Sequence, residues 1–196
     1  MTAGELMVAQ RVETREDLSF DEIFESYHER IYNCIYRLVG NPEEAHDLTQ
    51  ETFLRAYAGL PKIDGELKVG PWLYRIATNL CMDQLRRRKL IRWEPWESFV
   101  ALFHPKQVAR DNPERDALRQ ESRELVHRVL QELPPRYRIC LVLREYHGMS
   151  CEEIGDVIGS SRSAVKSLLF RAREEFRQVY QRMGGTDPLG TADAAL

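Results

Sequence analysis

The sequence predicts an all-α protein of two helical domains joined by a flexible linker, with a helix-turn-helix in the C-terminal domain. Three observations carry that expectation. Apolar residues recur at intervals of three and four along most of the chain, and its N-terminal half lacks the alternation of a half-buried strand. From Ser150 to Phe176 a capped helix, a tight Gly-Ser turn and a second, basic helix follow one another. Between residues 91 and 112 the periodicity fails and Pro95 and Pro105 appear, with Pro113 just beyond. The expected division is a loose lead-in over residues 1–18, a domain over 19–90, a linker over 91–112, a domain over 113–183 and a disordered tail over 184–196.

Composition bounds the function. At 196 residues, 43% hydrophobic and 30% charged, the chain has the make-up of a soluble globular protein of one or two domains. No apolar run approaches the roughly 20 residues that cross a bilayer, and the first 18 residues lack a signal-peptide core, so a cytoplasmic location is expected. Cys34, Cys81, Cys140 and Cys151 show no Cys-x-x-Cys spacing and read as reduced, structural thiols. Cys151 would sit in the first turn of a helix, where the positive dipole end favours thiolate. His28, His46, His104, His127 and His147 are scattered, and no Gly-rich loop precedes a helix. Hence no catalytic residue, metal or cofactor is expected, and the protein does not read as an enzyme.

The net charge of −3 conceals a segregation. From Glu13 to Phe53, eleven acidic residues face three basic ones. Between Pro71 and Arg92, Arg75, Arg86, Arg87, Arg88, Lys89 and Arg92 oppose only Asp83; from Ser160 to Arg182, six cations oppose Glu174 and Glu175. An acidic front with two separate basic segments suits one protein contact and two nucleic-acid contacts.

In chain order, Phe20, Phe24, Tyr27, Ile31, Ile35 and Leu38 mark the apolar face of a first helix that stops at Gly40-Asn41-Pro42. A second helix spans Glu43 to Leu60. Asp47, Gln50, Glu51 and Leu54 share one of its faces, while Ala45, Leu48, Thr52 and Ala56 point the other way. A face of two carboxylates, an amide and a leucine is either solvated or a polar protein interface. Leu60 to Pro71 reads as a loop, and a third helix runs from Pro71 to Lys89 with Leu73, Ile76, Ala77, Leu80 and Leu85 inward and a phosphate-binding cation cluster at its end. Trp72 and Tyr74 either stack on single-stranded bases or belong to the core.

The linker of about 22 residues, at ~3.3 Å each, spans ~70 Å, roughly two turns of DNA. Its Trp93, Trp96, Phe99 and Phe103 suit anchoring against a domain or partner. Glu114 to Leu133 (Leu118, Leu125, Val126, Val129, Leu133) and Arg136 to Tyr146 (Ile139, Val142, Leu143, Tyr146) are supporting helices around Pro134-Pro135. Ser150 and Glu153 form a capping box, Gly159 stops that helix, and Ser160 or Ser161 caps the next. In the last helix Val165, Leu168, Leu169, Ala172 and Phe176 face inward. Ser163, Lys166, Ser167, Phe170 and Arg171 face outward, cations and hydroxyls for phosphates or base edges and a ring for a thymine methyl. A plain helical hairpin with a solvated basic face is the bland alternative.

The run Asp47-Leu-Thr-Gln-Glu-Thr-Phe-Leu-Arg-Ala-Tyr57 resembles the core-polymerase-binding helix of bacterial RNA polymerase sigma factors of the extracytoplasmic-function group. Leu133-Pro-Pro-Arg-Tyr-Arg138 with Gly148-Met-Ser-Cys-Glu-Glu-Ile-Gly155 resembles the same group's minus-35-reading domain. The resemblance covers about residues 20–90 and 112–182. It implies promoter-specific transcription initiation, a core RNA polymerase partner docking through its clamp helices on Asp47, Gln50, Glu51 and Leu54, and control by an anti-sigma factor. It also implies minus-10 contacts by Asn79, with Arg86 and Arg87 on phosphates, and minus-35 contacts by Lys166, Ser167, Phe170 and Arg171. The chain departs from the Pro-x-Gly-Thr turn of many relatives at Ser160-Ser161-Arg162-Ser163-Ala164, and Arg162 is expected to add a phosphate contact there. The loop after Leu60 corresponds to a pocket for a promoter base drawn from the stack, and the linker to a segment threaded through the polymerase. The rival expectation is an activator of the response-regulator type, which binds duplex operators without replacing sigma.

Overall fold

The computed structural model describes residues 12–14, 19–62, 66–91 and 113–185. Among the described residues, seven α-helices dominate. Helix α1 (Phe20–Val39) buries Ile23, Tyr27, Ile31, Cys34, Ile35, Leu38 and Val39, the 3.6-residue stripe expected of an amphipathic helix. Phe24 departs from that expectation: it is 40% exposed at the edge of the stripe. The helix ends because Gly40 adopts φ 76°, and its N–H donates to the Tyr36 carbonyl at 2.9 Å.

Helix α2 (Pro42–Gly59) starts with the Asn41 side chain accepting the Glu44 N–H at 2.9 Å and Pro42 in the first turn. It buries Ala45, Thr49, Thr52, Phe53 and Ala56. The two threonines are tolerated inside because Thr49 donates to the Ala45 carbonyl (2.6 Å) and Thr52 to that of Leu48 (2.7 Å).

A 3₁₀ turn (Leu60–Lys62) and a strand β2 (Glu66–Lys68) occupy the stretch expected to be loop. Strand β2 pairs antiparallel with β1 (Val12–Thr14), Val12 opposite Lys68. Three of the residues expected as a loose lead-in therefore form a short ribbon. A three-residue strand is too brief to leave a readable period, and the ribbon does not alter the all-α class. Helix α3 (Val69–Ile91) begins directly from β2, two residues earlier than Pro71 suggests.

Helices α4 (Pro113–Glu132), α5 (Pro135–Leu141), α6 (Cys151–Ile158) and α7 (Arg162–Arg182) form the second domain. A π-helical turn, Val142–Tyr146, continues α5. Helices α1, α2 and α3 pack on one another, α7 packs on α4, α5 and α6, and α3 lies against α6. One apolar cluster runs through both domains, from Ile31, Leu38 and Leu73 to Val129, Leu143 and Val165. Each such side chain fully withdrawn from water contributes about 2 kcal/mol. Residues 92–112, with Trp93, Trp96, Phe99 and Phe103, lie outside the described residues, as do 186–196 of the expected tail.

Candidate protein and nucleic-acid interfaces

The helix-turn-helix is built from local chemistry. Ser150 Oγ accepts the Glu153 N–H at 3.2 Å, and Glu153 Oε2 accepts the Ser150 N–H at 2.8 Å, closing the capping box. Gly159 takes φ 65° and the chain turns at once. A second glycine is needed for a reason no local pattern announced: a Cβ on Gly155 would lie 2.5 Å from the Ser160 carbonyl oxygen, so only hydrogen lets the turn fold back onto α6. Of the two candidate caps, Ser161 serves, its Oγ accepting the Ala164 N–H at 3.2 Å.

Helix α7 then sorts its residues by face. Val165, Leu169 and Ala172 are buried, Leu168 and Phe176 half-buried; Val179 and Tyr180 extend the buried face further than the sequence reading went. Arg162, Ser163, Lys166, Ser167, Phe170 and Arg171 all face solvent. Phe170 is 74% exposed, an apolar ring with no cover. Lys166 has no polar partner among the described residues. Ser167 Oγ donates to the Ser163 carbonyl (3.3 Å), and Arg171 Nε donates to that of Ser167 (3.2 Å), which aims the rest of the guanidinium outward. Other cations of the helix are engaged elsewhere, Arg173 with Glu145 at 2.9 Å and Arg177 with Glu174 at 2.5 Å.

The basic end of α3 is less uniform than its sequence. Arg75, Asn79, Arg86 and Arg87 are exposed, and Arg86 holds Asp83 at 3.1 Å. Arg88 turns inward: Nη1 donates to the Val39 carbonyl at 2.8 Å, Nε to Glu44 Oε1 at 3.2 Å, and Nη2 to Glu44 Oε2. It ties α3 to the end of α1 and the start of α2, and is not free for phosphate. Tyr74 belongs to the core, where burial pushes its hydroxyl pKa up; Trp72 is half-buried beside Gly59.

On α2, Asp47, Gln50 and Leu54 are exposed and Glu51 partly so. Gln50 contacts His46 (2.9 Å) and Glu51 pairs with Arg55 (2.7 Å), a surface pair worth well under about 1 kcal/mol. Leu54 is 65% exposed and Tyr57 63% exposed. Behind them Phe20, Phe24, His28 and Phe53 form an aromatic cluster, with Phe20 and Tyr57 edge to face at 5.1 Å. Tyr57 and Phe24 were missed as surface residues, because periodicity cannot tell the margin of an apolar stripe from its centre.

Two family models match this arrangement. Sigma-70 region 2 matches residues 23–91, covering α1 to α3, and Sigma-70 region 4 matches residues 123–176, covering the helix-turn-helix. The chain is 33% identical over 181 residues to the ECF RNA polymerase sigma factor SigW of Bacillus subtilis, spanning 89% of this chain and 97% of that one. This chain belongs to the extracytoplasmic-function sigma factors. The RNA polymerase sigma-H factor of Pseudomonas aeruginosa is 34% identical over 178 residues, 89% of this chain and 92% of its own.

In fold, this sigma factor is similar to RpoE from Bartonella quintana, solved with the anti-sigma factor NepR (TM-score 0.64, 20% identity, 83% of this chain and 96% of that one). It is also similar to CnrH, solved with the cytosolic domain of CnrY (TM-score 0.59, 22% identity, 92% and 99% covered). A response-regulator reading falls, since the N-terminal half is a three-helix region 2 instead of a receiver or ligand domain.

The thiols of this sigma factor divide by burial, which raises Cys34 to about 12 and Cys140 to about 11 and lifts Cys81 as well; Cys151 is half-buried at the start of α6. Among the described residues no cluster of three or more His, Cys, Asp or Glu could hold a metal, and no helix is long and apolar enough to cross a membrane.

Proposed function

We propose that this sigma factor docks on core RNA polymerase through Asp47, Gln50, Glu51 and Leu54, and reads promoters at two places. Asn79, Arg86 and Arg87 take the minus-10 element; Arg162, Lys166, Ser167, Phe170 and Arg171 take the minus-35 element. The observation that carries the reading is the outer face of α7. An exposed Phe170 between an outward Arg171 and a Lys166 with no polar partner among the described residues is costly in water and suited to a major groove offering phosphates, base edges and a thymine methyl.

The α2 face supports the polymerase contact in a similar way. A leucine and a tyrosine exposed beside carboxylates have the mixed character of a protein interface core and rim. The protein acts in the cytoplasm and catalyses no reaction itself. Its fold relatives solved with NepR and CnrY support control of this chain by an anti-sigma factor.

Reconstitution tests the reading. Purified chain added to core polymerase is expected to start transcription at discrete promoters found by transcript start mapping. Leu54→Lys should abolish initiation by loss of core binding, whereas Lys166→Ala should keep core binding and lose minus-35 use. Initiation unchanged by both substitutions overturns the assignment.

A further inference from the structure

We propose that the N-terminal strand β1 is a positioning element for minus-10 recognition: by main-chain pairing it holds β2, and with it the first turn of α3, in the place that base discrimination beside Asn79 requires. This role rests on the minus-10 assignment of α3 proposed above and adds what keeps its entry in place.

The pairing follows from where the first two helices leave the chain. Phe20, the first residue of α1, meets Tyr57, near the end of α2, edge to face at 5.1 Å. The segment that precedes α1 therefore starts beside the segment that leaves α2. Five residues separate Thr14 from Phe20. At ~3.3 Å each they reach up to ~20 Å, and they bring Val12, Glu13 and Thr14 opposite Lys68, Leu67 and Glu66. Packing of α1 on α2 already closes the long loop between the strands, so three residue pairs need not supply that entropy.

Strand β2 has little else to fix it. Of the described side chains from Pro61 to Lys68, Leu67 is half-buried against the core, while Pro61, Lys62 and Lys68 are exposed. The core takes the chain again at Val69, Gly70 and Pro71, all buried. A lone extended stretch leaves its N–H and C=O groups to water, and two strands by themselves are marginal. Here the ribbon is backed by α3, against which β2 packs. Lys68 is followed at once by Val69, the first residue of α3. The direction of β2 is thus the direction in which α3 begins, with no loop between them to absorb an error.

What stands on that entry is the reading surface. Strand β2 belongs to the stretch after Leu60 where a pocket for an unstacked base is expected. Beyond it, exposed Arg75 and Asn79 lie one turn apart on α3, with half-buried Trp72 on the same side. Leu73, Tyr74 and Ala77 hold the body of the helix in the core, whereas the strand before it depends on β1. A recognition group has to be held within about 0.5 Å of its productive place. Phosphate contacts by Arg86 and Arg87 carry no sequence information. A loose β2 therefore costs discrimination before it costs binding.

The test uses the full chain with core polymerase. In an antiparallel pair successive residues turn their N–H groups alternately toward and away from the partner strand, so one of Val12 and Glu13 donates to β2. Val12→Pro with Glu13→Pro removes that donor whichever residue it is. Val12→Thr with Thr14→Val exchanges two strand-forming side chains and keeps every donor. Initiation is measured on a matched promoter, on single minus-10 substitutions and on a minus-35 substitution, beside core affinity and melting temperature. The proline pair should lower discrimination at one or more minus-10 positions by about fivefold, the smallest cost expected of a mismatched base pair. Minus-35 discrimination, core affinity and melting temperature should not change, and the exchanged pair should behave as wild type.

Full minus-10 discrimination by the proline pair overturns the role of β1 and leaves the sigma reading standing. Lost core affinity, or a melting temperature lowered by several degrees, makes β1 a structural strand and overturns it as well. Discrimination lost in the exchanged pair assigns the effect to side chains instead of main-chain pairing, with the same result. If wild type itself discriminates no minus-10 base, the assignment of α3 fails and the role of β1 falls with it.

Discussion

The two basic segments carry similar excesses of cations and use them differently. On α7 the outer face is almost wholly given to solvent: Lys166 has no polar partner among the described residues, Arg171 is steered outward by the Ser167 carbonyl, and Phe170 is 74% exposed. On α3 the cluster divides, with Arg86 and Arg87 outward and Arg88 inward, closing the end of α1 and the acidic first turn of α2. A run of arginines is therefore not a count of phosphate contacts. The carbonyl end of α1 takes up guanidinium groups that the sequence presents as free cations, Arg88 at Val39 and Arg138 at Leu38.

That contrast can be broken or sharpened by measurement. The largest effect is expected where the α7 face depends on the turn beneath it. Gly155→Ala forces a Cβ into the Ser160 carbonyl and should cost about 3 kcal/mol of stability, with loss of minus-35 duplex binding. Thermal denaturation beside duplex titration reads both, and an unshifted melting temperature would refute the close-approach argument. Next, Lys166→Ala and Arg171→Ala should each weaken minus-35 binding by about 1 to 3 kcal/mol at unchanged stability, tested by filter binding on matched and mismatched sites.

Between neighbours on α3 the effects should part. Arg88→Ala is expected to destabilise the fold by about 1 to 2 kcal/mol, the lower end reflecting side chains roughly a third exposed. Arg87→Ala should leave stability alone and lower the salt dependence of promoter binding by about one counterion. Equal melting temperatures for the pair would erase the distinction drawn here.

The smallest effect near neutrality concerns His147. Burial, reinforced by Arg30 and Arg37, lowers its pKa from 6.5 to about 3. The unfolded chain then binds a proton that the folded chain refuses, so this stability is complete above pH 6.5 and is lost as pH falls toward 3. By pH 5.5 the loss should be on the order of 1 kcal/mol, and His147→Asn should flatten that slope in urea titrations. A parallel slope in the variant would assign the acid sensitivity to other groups.

Much of the candidate site was legible because its chemistry is local. Ser150 and Glu153 are three residues apart, Gly159 needs only its own backbone angle, and the sides of α7 follow from helical period. The α2 face was legible as a face; its character was not, since the exposure of Leu54 and Tyr57 depends on where α1 lies. Phe24 and Thr49 were misjudged or missed for the same reason: period places a residue on a helix, whereas the neighbouring helix decides which part of the circumference is covered.

The sequence by itself determined the helices, their caps, the helix-turn-helix and the family, since each depends on residues within a few positions of one another or on a contiguous motif. Only the tertiary structure decided that Arg88 and Arg138 bind carbonyls, that Tyr74 lies in the core, that Gly155 must lack a side chain, and that the two domains share one core. Those outcomes join atoms from as far apart as Leu38 and Arg138, 100 positions along the chain, and no local period or spacing encodes a contact between such distant segments.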